Sequence, residues 1–346
     1  MKNSDKYIIS DKQSIKDALT ALNEIGHSAQ TLFVVDDEER MVGTLTDGDI
    51  RRSLIAGNSV NTPVKSVMHT EYQFVKKEKW DVRRLKTLRK KDILFIPILD
   101  NQQHIVGVCN LMKYKNILPI DAVLMAGGKG ERLRPLTEHT PKPLLLVGNK
   151  AIIDYNIDNL CYYGVKNISV TVNYLKEQLE EHFATEQNGI QVQCVREPRF
   201  LGTMGSVQFV EKFENDTILV MNSDLFTNID LEDFYLHFYE SGADMSAAAI
   251  PYSVSVPYGI FNVNEDNITG LTEKPTYNYY ANAGIYLIKR EMLELIPADT
   301  FFNATDLIEL LITQKKKVVR FPIHGYWIDI GNKDEYAKAQ DIVKHL

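Results

Sequence analysis

The stretch VLMAGGKGERLRPLTEHTPKPLLLV, residues 123–147, decides how the rest of the chain is read. An apolar run of strand length ends in a glycine turn. Where a plain helix would be expected, the chain carries Arg132, Arg134, Pro135, Pro141, Lys142 and Pro143. Glycine turns after strands hold phosphate, because backbone N–H groups can approach an anion closely where no Cβ intervenes. Two common phosphate loops fail on spacing. A P-loop places a Lys-Ser/Thr pair after its second glycine, which GGKGERLR lacks. A dinucleotide fingerprint needs a further glycine three residues after Gly130, at a helix start. That position is Leu133, and prolines interrupt the chain beyond it.

Working outward, apolar runs at 122–126, 168–174, 190–197, 217–224 and 244–252 have strand length. Helix-length amphipathic stretches lie at 150–163, 175–183 and 231–241, the last closed by Gly242. Such alternation predicts a Rossmann-like α/β domain with a mostly parallel sheet covered on both faces. Ligands then bind beyond the carboxyl ends of the strands, where Gly127–Gly130, Asn222 and Asp224 fall. An antiparallel hairpin region is expected at 258–275 and a strand at 282–290. A helix over 306–316 is read as capped by Thr305. The last helix, 333–345, has Asn332 as N-cap and Glu335 at the capping-box position.

The first 120 residues repeat themselves. LFVVDDEERMVGTLTDGDI (32–50) lies on IPILDNQQHIVGVCNLMKY (96–114), with Val42-Gly43 on Val106-Gly107, a shift of 64 residues. Each half reads as helix, strand, acidic turn, strand and helix; two copies make a paired module, not a solenoid. Pro119 marks the boundary before the next sheet, giving units at 1–60, 61–118 and 119–346.

Composition narrows the function classes. The chain has 346 residues, a net charge of −7 and 44% hydrophobic residues, which fits a folded multidomain protein and argues against nucleic acid or an anionic membrane as partner. Any anion site must be built from a few local Lys and Arg. Cys109, Cys161 and Cys194 are widely spaced in apolar runs, as core thiols of a reducing compartment are. The start, MKNSDKYIIS, carries no signal-peptide core and no run reaches the length of a membrane span, so a cytoplasmic location is expected. The basic run at 77–92 reads as one solvated helix face, and His324 as a core histidine.

Taken together, G-G-x-G-x-R-L-R-P-L-T…P-K-P-L resembles the signature of the sugar-nucleotidyltransferases, which make nucleotide sugars from a sugar 1-phosphate and a nucleoside triphosphate. LGTMGSV (201–207), NSD (222–224), YGIF (258–261), EKP (273–275), NAGIY (282–286) and WIDIG (327–331) follow in that family's order, so the resemblance spans roughly residues 121–340. Ser223 departs from it, since glycine is commoner there. The resemblance implies in-line attack of a sugar phosphate oxygen on the α-phosphorus. That nucleophile is already anionic, so catalysis means positioning and positive charge. Arg132 has the fork to bridge β- and γ-phosphates, and Lys142 suits the α-phosphate or the sugar phosphate. Met125, Ala126, Gly127, Gly128, Gly130, Gly202 and Thr203 are expected at the nucleotide. Mg²⁺ needs one or two carboxylates, and Asp224 and Asp329 are the candidates. Glu273 would accept sugar hydroxyls, Lys274 would contact the sugar phosphate, and Asn282 and the Gly259 backbone would line the sugar.

The amino-terminal repeats, with VGTLTDGDI, resemble the cystathionine-β-synthase-type (CBS) pair, which often binds adenine nucleotides. In that family a Thr/Ser and an Asp three residues on hold a ribose; Thr46 and Asp49 match, whereas the second half has Asn110 and Lys113. Asp47 and Asp49 capping a helix near Ile50 is the plainer reading. The combination points to a Mg²⁺-dependent, homo-oligomeric enzyme. The fusion resembles a subgroup associated with GDP-sugar formation, which implies GTP as the triphosphate and glucosamine 1-phosphate or mannose 1-phosphate as the acceptor. A uridylyl- or thymidylyltransferase and a non-catalytic nucleotide sensor are the alternatives.

Overall fold

The computed structural model describes residues 5–26 and 30–345, so Met1–Ser4 of the opening MKNSDKYIIS lie outside the described residues. The chain divides into two compact units, Met1–Ile117 and Leu118–Leu346. No helix among the described residues is long and apolar enough to cross a membrane.

The first unit contains the repeat in three dimensions. Strand β1 (Ile8–Ser10), helix α1 (Ile15–Ile25), β2 (Thr31–Val35), β3 (Met41–Thr46) and α2 (Asp47–Ile55) form one half. The second half is β4 (Val75–Lys76), α3 (Val82–Lys90), β5 (Phe95–Leu99) and β6 (Ile105–Asn110). Both halves pair a parallel strand to an antiparallel hairpin, and both hairpins carry a register shift at the same place, Val34/Val35 and Ile98/Leu99. Helix α3 buries Val82, Leu85 and Leu88 and keeps Arg83, Arg84 and Lys90 exposed, as the 77–92 run predicts, whereas half-buried Arg89 donates to the Lys115 carbonyl. Phe33 stacks on Phe95 across the halves, and Met41 N–H donates to the Gln103 carbonyl at 2.9 Å.

One expected helix is missing. After β6, Asn110 Oδ1 accepts from the N–H groups of Met112 and Lys113, which makes a single turn. By Leu118 the chain has entered the next unit, leaving too little length for a helix. Helix α2, by contrast, starts at Asp47 and not near Ile50. Thr46 is its N-cap in a reciprocal capping box with Asp49, and Arg52 also bonds Asp49 at 2.6 Å. Burial works against the Asp49 charge, but the Thr46 and Arg52 hydrogen bonds hold its carboxyl below the usual range. Thr46→Ala should therefore cost about 1 kcal/mol in denaturant melts at neutral pH. The difference should shrink as the pH falls through the lowered Asp49 value, because the cap needs the carboxylate. A pH-independent difference would refute the capping-box account.

In the second unit the glycine stretch begins at β7 (Asp121–Met125). A small hairpin, β8 (Leu146–Val147) and β9 (Lys150–Ala151), leads to α4 (Ile152–Tyr162), β10 (Ile168–Val172), α5 (Lys176–His182) and β11 (Gln193–Arg196). Next come α6 (Gly202–Gly205), β12 (Thr217–Asn222), β13 (Leu225–Thr227), α7 (Leu231–Ser241) and β14 (Met245–Ser255). A hairpin of β15 (Ile260–Asn264) and β16 (Asn267–Thr272) precedes β17 (Thr276–Lys289). The last elements are α8 (Arg290–Leu293), α9 (Ala304–Thr313), β18 (Val318–Pro322), β19 (Trp327–Asp329) and α10 (Lys333–Val343).

Seven strands form one sheet in the order β11-β10-β7-β12-β17-β14-β18. Only β17 runs antiparallel to its neighbours, so the mixed α/β sheet is mostly parallel, as the alternation predicts. Strand order reverses on either side of β7, which puts its carboxyl end at the switch point where such sheets bind ligands.

Local details correct three expectations. Helix α9 is capped by Asn303 in a box with Asp306, not by Thr305. Asn332 does cap α10, but the Glu335 side chain goes to Lys338 at 2.8 Å. His324 is exposed and not in the core. The cysteines are free; burial pushes the Cys109 thiol up to about 12 and Cys194 up to about 11, so neither is a ready nucleophile.

Candidate active site

The glycine turn does not enter a helix. Gly130 takes a left-handed φ of 64°, and the chain makes a short 3₁₀ turn, Glu131–Leu133, followed by a second one at Lys142–Leu144. A Cβ on Gly130 would sit 3.0 Å from Thr137 Cγ2 and 3.2 Å from Lys142 Cβ. Glycine there lets the returning loop press against the turn. Buried Thr137 closes the loop by donating from Oγ1 to the Gly130 carbonyl at 2.8 Å, and Tyr174 holds the Thr137 carbonyl from outside. The prolines and this closure carry Lys142, only 9% exposed, into the wall of a cavity of about 760 Å³.

That cavity gathers all seven residues predicted for the nucleotide: Met125, Ala126, Gly127, Gly128 and Gly130 from the turn, and Gly202 and Thr203 from α6. Arg132, Lys142 and Asp224 also line it. Arg132 lies against Gly331, where a Cβ would be 3.1 Å from its guanidinium. Gly202, at φ 77°, is required for another reason than access to a base: a Cβ there would meet the Phe302 carbonyl and Asn303 Oδ1 at 2.8 Å. Thr203 Oγ1 accepts from the first N–H of α9, Ala304, at 2.8 Å.

The acids meet because two short strands pair. Strand β13 lies antiparallel to β19, with Leu225 opposite Asp329, so Asp224 sits one residue from Asp329's partner. Lys142 Nζ bonds Asp224 Oδ2 directly and lies 3.7 Å from Asp329 Oδ1. Burial and the neighbouring Asp224 charge push the Asp329 carboxyl up, against the pull of Lys142 and Arg132. Asp224 Oδ1 is buried with no hydrogen-bond partner among the described residues. Two hard carboxylates, one with a free buried oxygen, suit a divalent cation. The residues fit Mg²⁺.

Three supports were not legible as site residues in the sequence. Ser223, the departure from the family pattern, donates from Oγ to the Met125 carbonyl at 2.6 Å and ties the ends of β12 and β7 together. Asn156 on α4 is buried and donates to the Ser223 and Leu225 carbonyls on either side of Asp224. Glu197 is 6% exposed and lines the cavity; Leu201 N–H donates to its Oε2, and its Oε1 would collide with any Cβ on Gly127. Burial pushes the Glu197 carboxyl up. The rule that selects Asp224 as a strand-end acid also selects Glu197, which directly follows β11.

Gly259, Glu273, Lys274 and Asn282 do not line this cavity. Gly259 and Glu273 adjoin each other, since a Cβ on Gly259 would be 2.9 Å from Glu273 Oε2. Lys274 takes a left-handed φ of 46°, unusual for a side chain with Cβ. The Asn282 amide is used locally, donating to Tyr286 Oη and accepting from Gly284 N–H.

Comparison with known proteins agrees with this geometry. The bifunctional protein GlmU of Methanocaldococcus jannaschii is 33% identical over 64% of this chain, which spans 53% of that relative's length. The D-glycero-alpha-D-manno-heptose 1-phosphate guanylyltransferase of Aneurinibacillus thermoaerophilus is 27% identical over 65% of this chain and 99% of its own. Among solved structures, HddC from Yersinia pseudotuberculosis complexed with GMP-PN shares the fold with a TM-score of 0.51. It is 22% identical, with 64% of this chain and 99% of that one covered. Residues 3–56 match the CBS domain, and residues 121–345 match the nucleotidyl transferase family. With its glycine cradle, cavity lysine and paired acids, the chain belongs to the nucleotidyl transferase family and carries a CBS domain.

Proposed function

We propose that this enzyme transfers a guanylyl group from GTP to a sugar 1-phosphate and releases pyrophosphate, with Mg²⁺ held by Asp224 and Asp329. The cluster of Lys142, Asp224 and Asp329 beside a glycine-lined cavity carries the reading. A sugar phosphate oxygen forms the new bond to the α-phosphorus, and the bond to the β-phosphate oxygen breaks with its electron pair. Mg²⁺, when bound, supplies positive charge to phosphate oxygens. Arg132 bridges the β- and γ-phosphates, and Lys142 offers a point charge to the α-phosphate or the sugar phosphate. Backbone N–H groups of the glycine turn approach the nucleotide. Outside the cavity, Glu273 and Asn282 take sugar hydroxyls, with the Gly259 backbone beside them, and Lys274 takes the sugar phosphate.

Glu197 supports guanine over other bases. Guanine presents N1–H and N2–H₂ side by side, two donors matched to one carboxylate. Uracil and thymine flank a single N–H with carbonyls that repel it, and adenine offers an acceptor at the same edge. The names of the Aneurinibacillus relative and of the GMP-PN complex agree with a guanine nucleotide. Glucosamine 1-phosphate and mannose 1-phosphate remain the acceptors to test first, with a heptose 1-phosphate added from that relative's name.

The experiment is incubation with Mg²⁺, each triphosphate in turn and a panel of sugar 1-phosphates, reading pyrophosphate and product mass. No pyrophosphate from any pair would overturn the enzyme reading; dominant UDP- or dTDP-sugar would overturn only the guanylyl choice. Glu197→Gln should lower kcat/KM for GTP roughly 10²-fold, the loss expected for charged hydrogen bonds to a buried base edge. It should also raise UTP use relative to GTP, because an amide can pair with an imide. An unchanged GTP:UTP ratio would remove Glu197 from base selection. For the first unit, Thr46 and Asp49 would hold the ribose of a regulatory nucleotide.

A further inference from the structure

The loop at 198–201, which joins β11 to α6, brings an aromatic ring into the wall of the cavity. Phe200 lines it and is 55% exposed, so a large apolar side chain stands open at the proposed nucleotide site. Its ring packs on that of Phe301, with centroids 5.8 Å apart and planes tilted by 54°. Phe301 is just as exposed, at 54%, but does not line the cavity. It supports Phe200 without entering the wall itself.

Rings on loops need holding, and the backbone on either side of Phe200 supplies it. Arg199 donates from Nη2 to the Asp299 carbonyl at 2.6 Å and lies 3.1 Å from the Asp299 carboxylate. The Leu201 carbonyl accepts from Phe302 N–H at 2.9 Å. In return the Phe302 carbonyl accepts from the N–H groups of Met204 and Gly205, at 2.9 and 3.0 Å. Glycine at 205 permits this approach, since a Cβ there would be 2.7 Å from the Thr300 carbonyl. The two rings are thus mounted on one locked pair of loops.

The same stretch fixes a carboxylate. Leu201 N–H, in the peptide that directly follows Phe200, donates to Glu197 Oε2 at 3.4 Å. A nucleobase has an edge of donors and acceptors and two apolar faces, and a site that meets only the edge leaves the faces wet. Aromatic side chains stack on any base, over more area when the base has two rings. We propose that Phe200, backed by Phe301, stacks on the face of a purine whose edge Glu197 holds, and so favours two-ring over one-ring bases. This rests on the nucleotide reading of the cavity. Phe200 touches the base; Phe301 is a positioning residue that acts through it. The base is unchanged during reaction, so the stack acts equally on ground and transition states and belongs to KM, not to kcat.

The test is calorimetric titration of the full chain, with Mg²⁺ and without sugar 1-phosphate, by GTP, UTP and inorganic tripolyphosphate. Phe200→Ala should weaken GTP roughly 10- to 100-fold, the range for a lost base–aromatic stack. It should weaken UTP less and leave tripolyphosphate unchanged. In turnover its KM for GTP should rise at constant kcat. Phe301→Ala should lose part of the same GTP affinity and none for tripolyphosphate. Phe200→Trp should keep GTP affinity, and its added fluorescence should be quenched by GTP but not by tripolyphosphate. Unaltered GTP affinity in Phe200→Ala, or an equal loss for UTP or tripolyphosphate, would overturn the stack and leave the nucleotide reading standing. A wild type that binds none of the three would overturn that reading and the stack together. Should Phe200→Ala melt early, Phe200→Trp decides: fluorescence indifferent to GTP overturns the proposal.

Discussion

Asp224→Asn is expected to lower turnover roughly 10³-fold with no loss of fold, since several kcal/mol of charge stabilisation are removed at about 1.4 kcal/mol per tenfold. The substitution keeps the side-chain volume and leaves the backbone contact from Ile330 N–H to the Asp224 carbonyl in place. What it removes is the carboxylate whose Oδ1 is buried without a partner. Pyrophosphate release measures the loss, and a thermal melt checks the fold. The Mg²⁺ concentration giving half-maximal rate should also rise. A variant with near-normal turnover would show that Asp224 holds no metal.

Lys142→Met should be as damaging to turnover and, unlike Asp224→Asn, should also destabilise the protein. Methionine preserves the apolar stem packed beside Gly130 but leaves Asp224 and Asp329 facing each other without their cation. Removing one member of a buried charge cluster costs several kcal/mol, and the partial exposure of both acids reduces this to about 2 kcal/mol. The loss should appear in melts with EDTA and be largely restored by millimolar Mg²⁺, which replaces the missing positive charge between the acids. Loss of stability that Mg²⁺ does not restore would mean that the two acids are not a cation site.

The turn at 127–130 was readable because its chemistry lies within a few consecutive residues: glycines for approach, prolines for path, Arg132 and Lys142 for charge. The repeat was equally legible, down to Val42-Gly43 and Val106-Gly107 occupying matching places in β3 and β6. What escaped was whatever depends on long-range pairing. Asn156 sits on an amphipathic helix with nothing local to mark it, and its function comes from two carbonyls some 67 and 69 residues away. Thr46 and Asp49 show the reverse limit, because one motif serves both a ribose site and a helix cap, and only coordinates show that the cap is formed.

The pairing of β13 with β19 has a consequence for how the two acids come to meet. Thr227 Oγ1 donates to the Tyr326 carbonyl across 99 residues of chain, and the Ser223 bond to the Met125 carbonyl, which ties the strand before Asp224 to the cradle, spans 98. Both acids are therefore set by contacts of the same long range, and neither is placed by local structure alone. Because a slip of one residue would turn Asp329 to the opposite side of its strand, a ladder of only three residues fixes the second acid with little tolerance for error.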